Sequence, residues 1–369
     1  MRRVALLITY TMLEPIVGGA FFRALRLAVE LRRRGWSPVI CNHGPMLEDP
    51  KITDARSAQV TLIQLDREAP GFNVERAVVQ FAGFEPSVVI MGESPFELMK
   101  VFYEGARRLS CPLVVFDQYY RPSLVPPRAS ADLILLYCLQ TFWEGIQPIG
   151  SPYRLIPPFI EDVTPPEALP LAADFPLTNR ITCIAYEESI LRLGIQLVAG
   201  LRREDVSFIV ISPQPDRAAE LLRDVNLNGC ATANLPMQPD AVVFGCIESS
   251  RVSILSNGFI QVMDALALGC PVITLKRDNN VGLNELNYDT RFHPFMSFDE
   301  SETAQRARIE RWLKCSPFSP DLVVKLKRER NGTATCADLI ETLVSLPREK
   351  PHQTWLQRLV HTLSLRAQG

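Results

Sequence analysis

The 369-residue chain carries 39 basic and 41 acidic side chains, a formal charge of -2, and 47% apolar residues. That composition is ample for two packed cores, and the near-neutral charge excludes a protein that gains its affinity by neutralising nucleic-acid phosphates. No run approaches eighteen uninterrupted apolar residues, so no transmembrane helix is expected; nine cysteines without a Cys-x-x-Cys pair point to reduced thiols of a cytoplasmic protein, not a disulfide frame or a zinc site.

The start, Met1 and two arginines ahead of an apolar run, reads as a first strand and not a signal peptide, because no small-residue cleavage site follows promptly. Strand and helix signals then alternate, the mark of an α/β fold with parallel sheets. Val4 to Thr9 is a strand and Thr11 to Gly19 a loop, followed by a helix from Ala20 to Arg34 with Phe21, Leu25, Ala28 and Leu31 on its apolar face. Pro38 to Cys41 and Thr61 to Leu65 are strands, Val74 to Phe84 a helix, and Ser87 to Met91 a fourth strand. Ser94 and Pro95 then suit the cap and first turn of a helix running to Leu109. Pro112 to Phe116 ends in the polar and aromatic cluster Asp117-Gln118-Tyr119-Tyr120-Arg121, at the carboxyl end of a strand, where open parallel sheets keep their chemistry. Asp132 to Tyr137 and Arg154 to Ile156 complete this half.

A proline-rich stretch follows, with Pro157-Pro158 and Pro165-Pro166, and reads as a linker. The expected organisation is a first unit over 1–158, a linker over 159–179, a second unit over 180–350 and a helix over 351–369 packing back across both. In the second unit Ile181 to Ala185 and Phe208 to Ile211 are strands, and Ser189 to Leu201 and Asp216 to Val225 helices. Thr232, Ala241 to Phe244 and Val252 to Leu255 lead to the most informative stretch, Ser256 to Pro271. Here Phe259, Met263 and Leu266 recur at helical spacing, and Gly269 followed by Pro271 stops the helix before the strand Val272 to Leu275. Gly258 lies where a backbone can approach a phosphate, the helix points its amide-rich end at the same place, and Asp264, six residues on, can accept hydrogen bonds from a ribose. A solvated helical Asp is the plainer alternative. Helices are expected from Glu300 to Leu313 and Asp338 to Leu346, and the tail carries Trp355, Leu359 and Leu363 in helical register. Such a basic amphipathic tail can pack on the domains or touch a membrane surface. His43, His293, His352 and His361 are scattered; solvated roles are expected and no metal site is predicted.

Two successive α/β units, a proline-rich linker and a cleft between facing strand ends describe the GT-B architecture of two Rossmann-like domains. On its motifs the chain resembles the UDP-N-acetylglucosamine transferases of peptidoglycan synthesis and their glycosyltransferase family 28 relatives. Ser256 to Leu275 is similar to that family's donor-site turn and helix: the small-Gly pair is Asn257-Gly258, the ribose-binding acid falls on Asp264, and Gln261 stands where the family has a Thr beside the diphosphate. Gly18-Gly19 ahead of the helix ending in Gly35-Trp36 resembles its glycine-rich first loop, Pro86 to Gly92 its Pro-Asp-Val-Val strand, and Phe116-Asp117-Gln118-Tyr119 its His-Glu-Gln-Asn stretch. Three departures stand out: Ala20 replaces the family's first-loop His, Tyr186-Glu187-Glu188-Ser189 replaces a Gly/Ser-rich loop, and the sugar-gripping pair is replaced by Asn279-Asn280 and Asn284-Glu285.

The resemblance implies an inverting, metal-independent hexosyltransferase with a nucleotide-sugar donor as co-substrate and no other cofactor. Gly258, Asn257, Gln261 and Asp264 would hold the nucleotide, Lys276, Arg277 or Arg251 would meet the diphosphate, and Asn284 and Glu285 would face the sugar. Asp117 or Glu93 would be the base that takes the acceptor proton, while Gly18 and Gly19 form the first loop. Two other readings keep the fold: a UDP-sugar 2-epimerase, and a protein that has lost catalysis and serves as the binding subunit of a partner transferase.

Overall fold

The computed structural model describes residues 3–10, 12–13, 16–17, 19–43, 50–65, 73–92, 97–118, 131–143, 153–256, 258–275, 291–297 and 301–346. Its short apolar runs become parallel strands covered by helices. In the first half these are β1 (Val4–Tyr10), a small antiparallel pair β2 (Met12–Leu13) and β3 (Ile16–Val17), α1 (Gly19–Arg33), β4 (Ser37–His43), α2 (Pro50–Ser57), β5 (Thr61–Leu65), α3 (Val74–Ala82), β6 (Val88–Met91), α4 (Glu97–Arg107), β7 (Leu113–Gln118), β8 (Leu133–Tyr137) and β9 (Tyr153–Ile156). The second half has β10 (Arg180–Ile184), α5 (Glu188–Leu201), β11 (Ser207–Ile211), α6 (Pro215–Arg223), β12 (Ala231–Leu235), α7 (Asp240–Glu248), β13 (Val252–Leu255), α8 (Phe259–Ala267), β14 (Val272–Ile273) and β15 (Met296–Ser297), then helices Glu302–Lys314, Pro320–Arg328 and Gly332–Ser345.

The first sheet has seven strands in the order β5-β4-β1-β6-β7-β8-β9, and the second six, β12-β11-β10-β13-β14-β15. Every neighbouring pair in both is parallel. In each, the chain builds outward from a central strand and then reverses, so the order switches between β1 and β6 and again between β10 and β13. A crevice opens at the carboxyl ends of the strands flanking such a reversal, and ligands of open α/β sheets bind there.

Side-chain alternation assigns the layers. Leu6, Ile8, Val89 and Val115 face one side of the first sheet with Phe81 and Phe102 of α3 and α4, while Ala5, Leu7, Ile90 and Phe116 face the other with Phe21, Leu25 and Leu31 of α1. That second layer is continuous with Leu255, Met263 and Ile340 from the second half, so a single apolar core joins the two sheets. Further joints lie at the other end of the contact. The Phe142 ring stands 5.1 Å from Phe292 and 5.4 Å from Phe295, and the Glu329 carboxylate accepts hydrogen bonds from the Thr141 hydroxyl and, at 2.7 Å, from its backbone N–H.

The proline-rich segment is packed instead of loose. Phe159 and Ile160 are buried, the Ile160 N–H donates to Arg330 O at 3.0 Å, and the Thr164 N–H donates to Ala241 O at 2.9 Å. The crossing back to the first half is made by the helix Gly332–Ser345. Arg34 Nη1 reaches Asp338 at 2.5 Å and Glu341 at 3.2 Å, and Trp36 Nε1 donates to Glu341 Oε1 at 3.1 Å. The helix expected over 351–369 lies outside the described residues.

Some expectations are corrected. His43 is buried at the end of β4, its ring edge-on to Phe102, and is not a solvated loop residue. Ala241 to Phe244, for which the sequence suggested no definite element, lie in helix α7, whose residues 243–247 are all buried, so burial on most sides erased the helical period. Helix α2, which buries only Ile52 and Ala55, gave too little apolar signal to be expected, whereas Pro320–Arg328, not among the expected helices either, carries a readable start, Ser319 capping the Leu322 N–H ahead of Pro320.

Candidate functional site

At the switch point of the second sheet, β10 leads through Ala185 and Tyr186 into α5, and β13 leads through Ser256 into α8. The Ser256 hydroxyl ties the two turns together, accepting from the Tyr186 N–H at 3.0 Å and donating to Ile184 O at 3.3 Å. Gly258 is the N-cap residue of α8, with φ -97° and ψ 128° and no side-chain cap; α5 also begins at Glu187 without one. Two helix ends that lack a side-chain acceptor for their first amides therefore flank one crevice, a setting that favours an anion.

The φ of Gly258 is open to any residue, and a Cβ built there meets nothing nearer than Gln261 Oε1 at 3.7 Å. The fold does not demand glycine at this position. Gly269 is different: its φ of +74° closes α8, with the Cys270 N–H reaching back to Ala265 O at 3.0 Å, the left-handed cap that glycine adopts without penalty.

Helix α8 is wedged between its own sheet and the first half, and Phe259, Val262, Met263 and Leu266 are buried along with Asp264, which is 3% exposed. The solvated alternative for Asp264 is thereby removed. The Tyr137 hydroxyl, from β8 of the first sheet, donates to Asp264 Oδ1 at 2.5 Å and accepts from the Phe159 N–H at 3.3 Å. Arg26 of α1 stands 3.5 Å from Asp264 Oδ2 and donates to Asp240 Oδ2 at 2.5 Å and to Phe159 O at 3.3 Å. A cavity of about 40 Å³ lies beside the cluster, lined by Arg26, Tyr186, Asp240, Phe244, Gln261 and Asp264.

Burial pushes the Asp264 carboxyl above the ordinary carboxylate range, with Arg26 pulling the other way. One guanidinium faces two carboxylates, and Asp240 is the nearer. A buried group with net negative charge is costly, and at Asp264 burial is the larger of the two opposing effects. Burial, and then the Asp264 charge, also raise the Tyr137 hydroxyl, which stays a donor at neutral pH.

No protein-family model and no curated protein sequence matches the chain. Solved structures do. MurG of Acinetobacter baumannii superposes with a TM-score of 0.60 at 13% identity, covering 93% of this chain and 100% of its own. The glycosyltransferase SnogD from Streptomyces nogalater gives 0.59 at 18% identity over 94% and 99%, and a UDP-N-acetylglucosamine 2-epimerase gives 0.56 at 12% over 95% and 99%. The fold is GT-B.

Within this GT-B frame the expected site residues separate. Gly258, Gln261 and Asp264 come together at the second switch point. Arg251 does not join them: it is exposed at the amino end of β13, and five residues of extended chain at about 3.3 Å each put it roughly 16 Å from Ser256. Asp117, at the carboxyl end of β7, has no exposed surface. Gly19 opens α1. Ala20 is buried, and a Cβ on Gly92 would come within 2.9 Å of the Ala20 Cβ, so this corner of the first switch point is filled by close packing. Glu188 does not confront the crevice alone. Arg217 and Arg192 both donate to its carboxylate and hold it near a pKa of about 2. Gly18, Glu93, Asn257, Lys276, Arg277, Asn284 and Glu285 lie outside the described residues. Among the described residues no group of three or more metal-ligating side chains converges, and no helix is long and apolar enough to cross a membrane.

Arg26, Tyr137 and Asp240 were not expected at the site. Their partners are distant in sequence, 214 positions for Arg26 with Asp240 and 127 for Tyr137 with Asp264, and no local pattern encodes such pairs. One signal was present: Asp264 sits between Val262-Met263 and Ala265-Leu266, and an acid in a helix apolar on nearly every side is buried with a partner.

Proposed function

We propose that this GT-B protein transfers a sugar from a nucleotide-sugar donor to an acceptor hydroxyl, with inversion and without a metal. The observation that carries the reading is Gly258: a glycine that the fold does not require, at the N-cap of an uncapped helix, at the switch point of the second sheet. A side chain absent without a conformational reason leaves room for something outside the chain, and a diphosphate fits a helix N-terminus. Gly258, Asn257 and Gln261 would then hold the diphosphate end and Asp264 the ribose, with Lys276 and Arg277 offsetting charge on the leaving group. Asn284 and Glu285 are proposed against the donor sugar.

The acceptor hydroxyl must lose a proton as it attacks the anomeric carbon, so its base has to be reachable. Asp117 has no exposed surface. The assignment therefore favours Glu93, the residue after Gly92 in sequence, as the base, with Gly18 and Gly19 proposed as the first loop. Calorimetry with UDP-, GDP- and dTDP-sugars tests the donor step, and absence of binding to all of them refutes the reading. The superposition on a 2-epimerase supports a second reading, identified by interconversion of a free UDP-sugar without acceptor. Binding with neither transfer nor interconversion would mark a non-catalytic partner subunit, which the close packing at Ala20 favours.

A further inference from the structure

Arg26 and Tyr137 belong to the first half, Asp240 and Asp264 to the second, and Phe159 to the segment between them. All five meet in one network, in which Tyr137, Phe159 and Asp264 are buried and Arg26 and Asp240 half-buried. The Tyr137 hydroxyl occupies one oxygen of Asp264 and Arg26 faces the other, while Phe159 contributes both its N–H and its carbonyl. Arg26 is further fixed by Asp240 and by the Phe244 ring, 5.0 Å away.

Asp264 is only 3% exposed, and both of its carboxylate oxygens face groups of the first half. For a ribose to reach the Asp264 carboxylate, groups from the first half must withdraw. Resting on the nucleotide reading of Asp264, we propose that Arg26 and Tyr137 form a latch between the halves that covers the ribose site in the empty protein, so that donor binding and the parting of the halves at this contact are a single coupled event.

The latch makes a prediction opposite in sign to that for a residue supporting the donor. Tyr137→Phe removes the hydroxyl that competes for Asp264 and keeps the ring that packs on Phe159 at 5.8 Å. Calorimetry with UDP, GDP and dTDP on wild type and Tyr137→Phe should show the bound nucleotide held more tightly by the variant, by roughly tenfold for one hydrogen bond to a charged group. Small-angle scattering on the wild-type chain supplies the second readout, with expansion expected on saturation by the same nucleotide. Unchanged or weaker binding by the variant overturns the latch. So does bound nucleotide with unchanged scattering, a result that needs no variant to fold. Binding of no nucleotide by either form overturns the nucleotide reading as well, and this distinguishes the two failures.

Discussion

Gly258→Ser separates the fold's need for glycine from a ligand's. With φ -97° and ψ 128° the position accepts an L-residue without strain, and the nearest atom to an added Cβ is 3.7 Å away. Serine is also a better N-cap than glycine by a few tenths of a kcal/mol, so the melting temperature should rise by about 1 °C or stay unchanged. If a diphosphate approaches the backbone here, the new side chain stands in its place and one charge-assisted hydrogen bond is lost. That is about 2 kcal/mol, or roughly a 30-fold increase in Kd. Differential scanning calorimetry and nucleotide titration on the same preparation read both quantities. A Kd within about twofold of wild type, with the stability preserved, would refute the reasoning that this glycine exists for a ligand.

Gly332→Ala should act on stability alone. An added Cβ would collide with the Pro157 carbonyl and lie 2.6 Å from the Phe159 ring and 2.7 Å from Pro158 O; backbone on two sides cannot yield, and a loss of about 3 kcal/mol is expected in urea unfolding. Glu188, held near a pKa of about 2 by Arg217 and then Arg192, is a depressed carboxylate. Its contribution is present above the ordinary carboxylate range and is lost as pH falls toward 2; a carboxyl-carbon NMR titration should show this, and Arg217→Ala should move the midpoint upward. Burial pushes Cys41, Cys183 and Cys270 up to about 12 and Cys230 and Cys246 to about 11, while Cys315 is exposed. A disulfide reagent at pH 8 should therefore modify Cys315 first, the half-buried Cys111 and Cys230 more slowly, and the buried thiols only on unfolding.

Much of the fold is legible in the sequence. The runs 61–65 and 252–255 are strands with the expected bounds; the second is buried throughout, because a strand covered on both faces needs a buried side chain at nearly every position, while the first is a half-exposed edge strand. Helix α8 was equally plain, with Phe259, Met263 and Leu266 at helical spacing and Gly269 at its close. Where burial ran all the way round, as in α7, the periodic signal vanished, and where a helix buried little, as in α2, there was hardly a signal to read.

The sequence by itself determined the alternation that makes two parallel sheets and the glycine turn that points α8 at a crevice, since both depend on neighbours a few residues apart. Only the tertiary structure decided what Asp264 touches. Its partners come from α1 and β8, more than a hundred residues away, and a charge pair across two sheets leaves no local pattern because each side chain is placed by its own element's packing. Tertiary packing also buried Asp117, whereas Arg251 lies at the far end of β13 simply because it precedes that strand. A strand's direction and a helix's contacts, not residue type, settle which charges can meet.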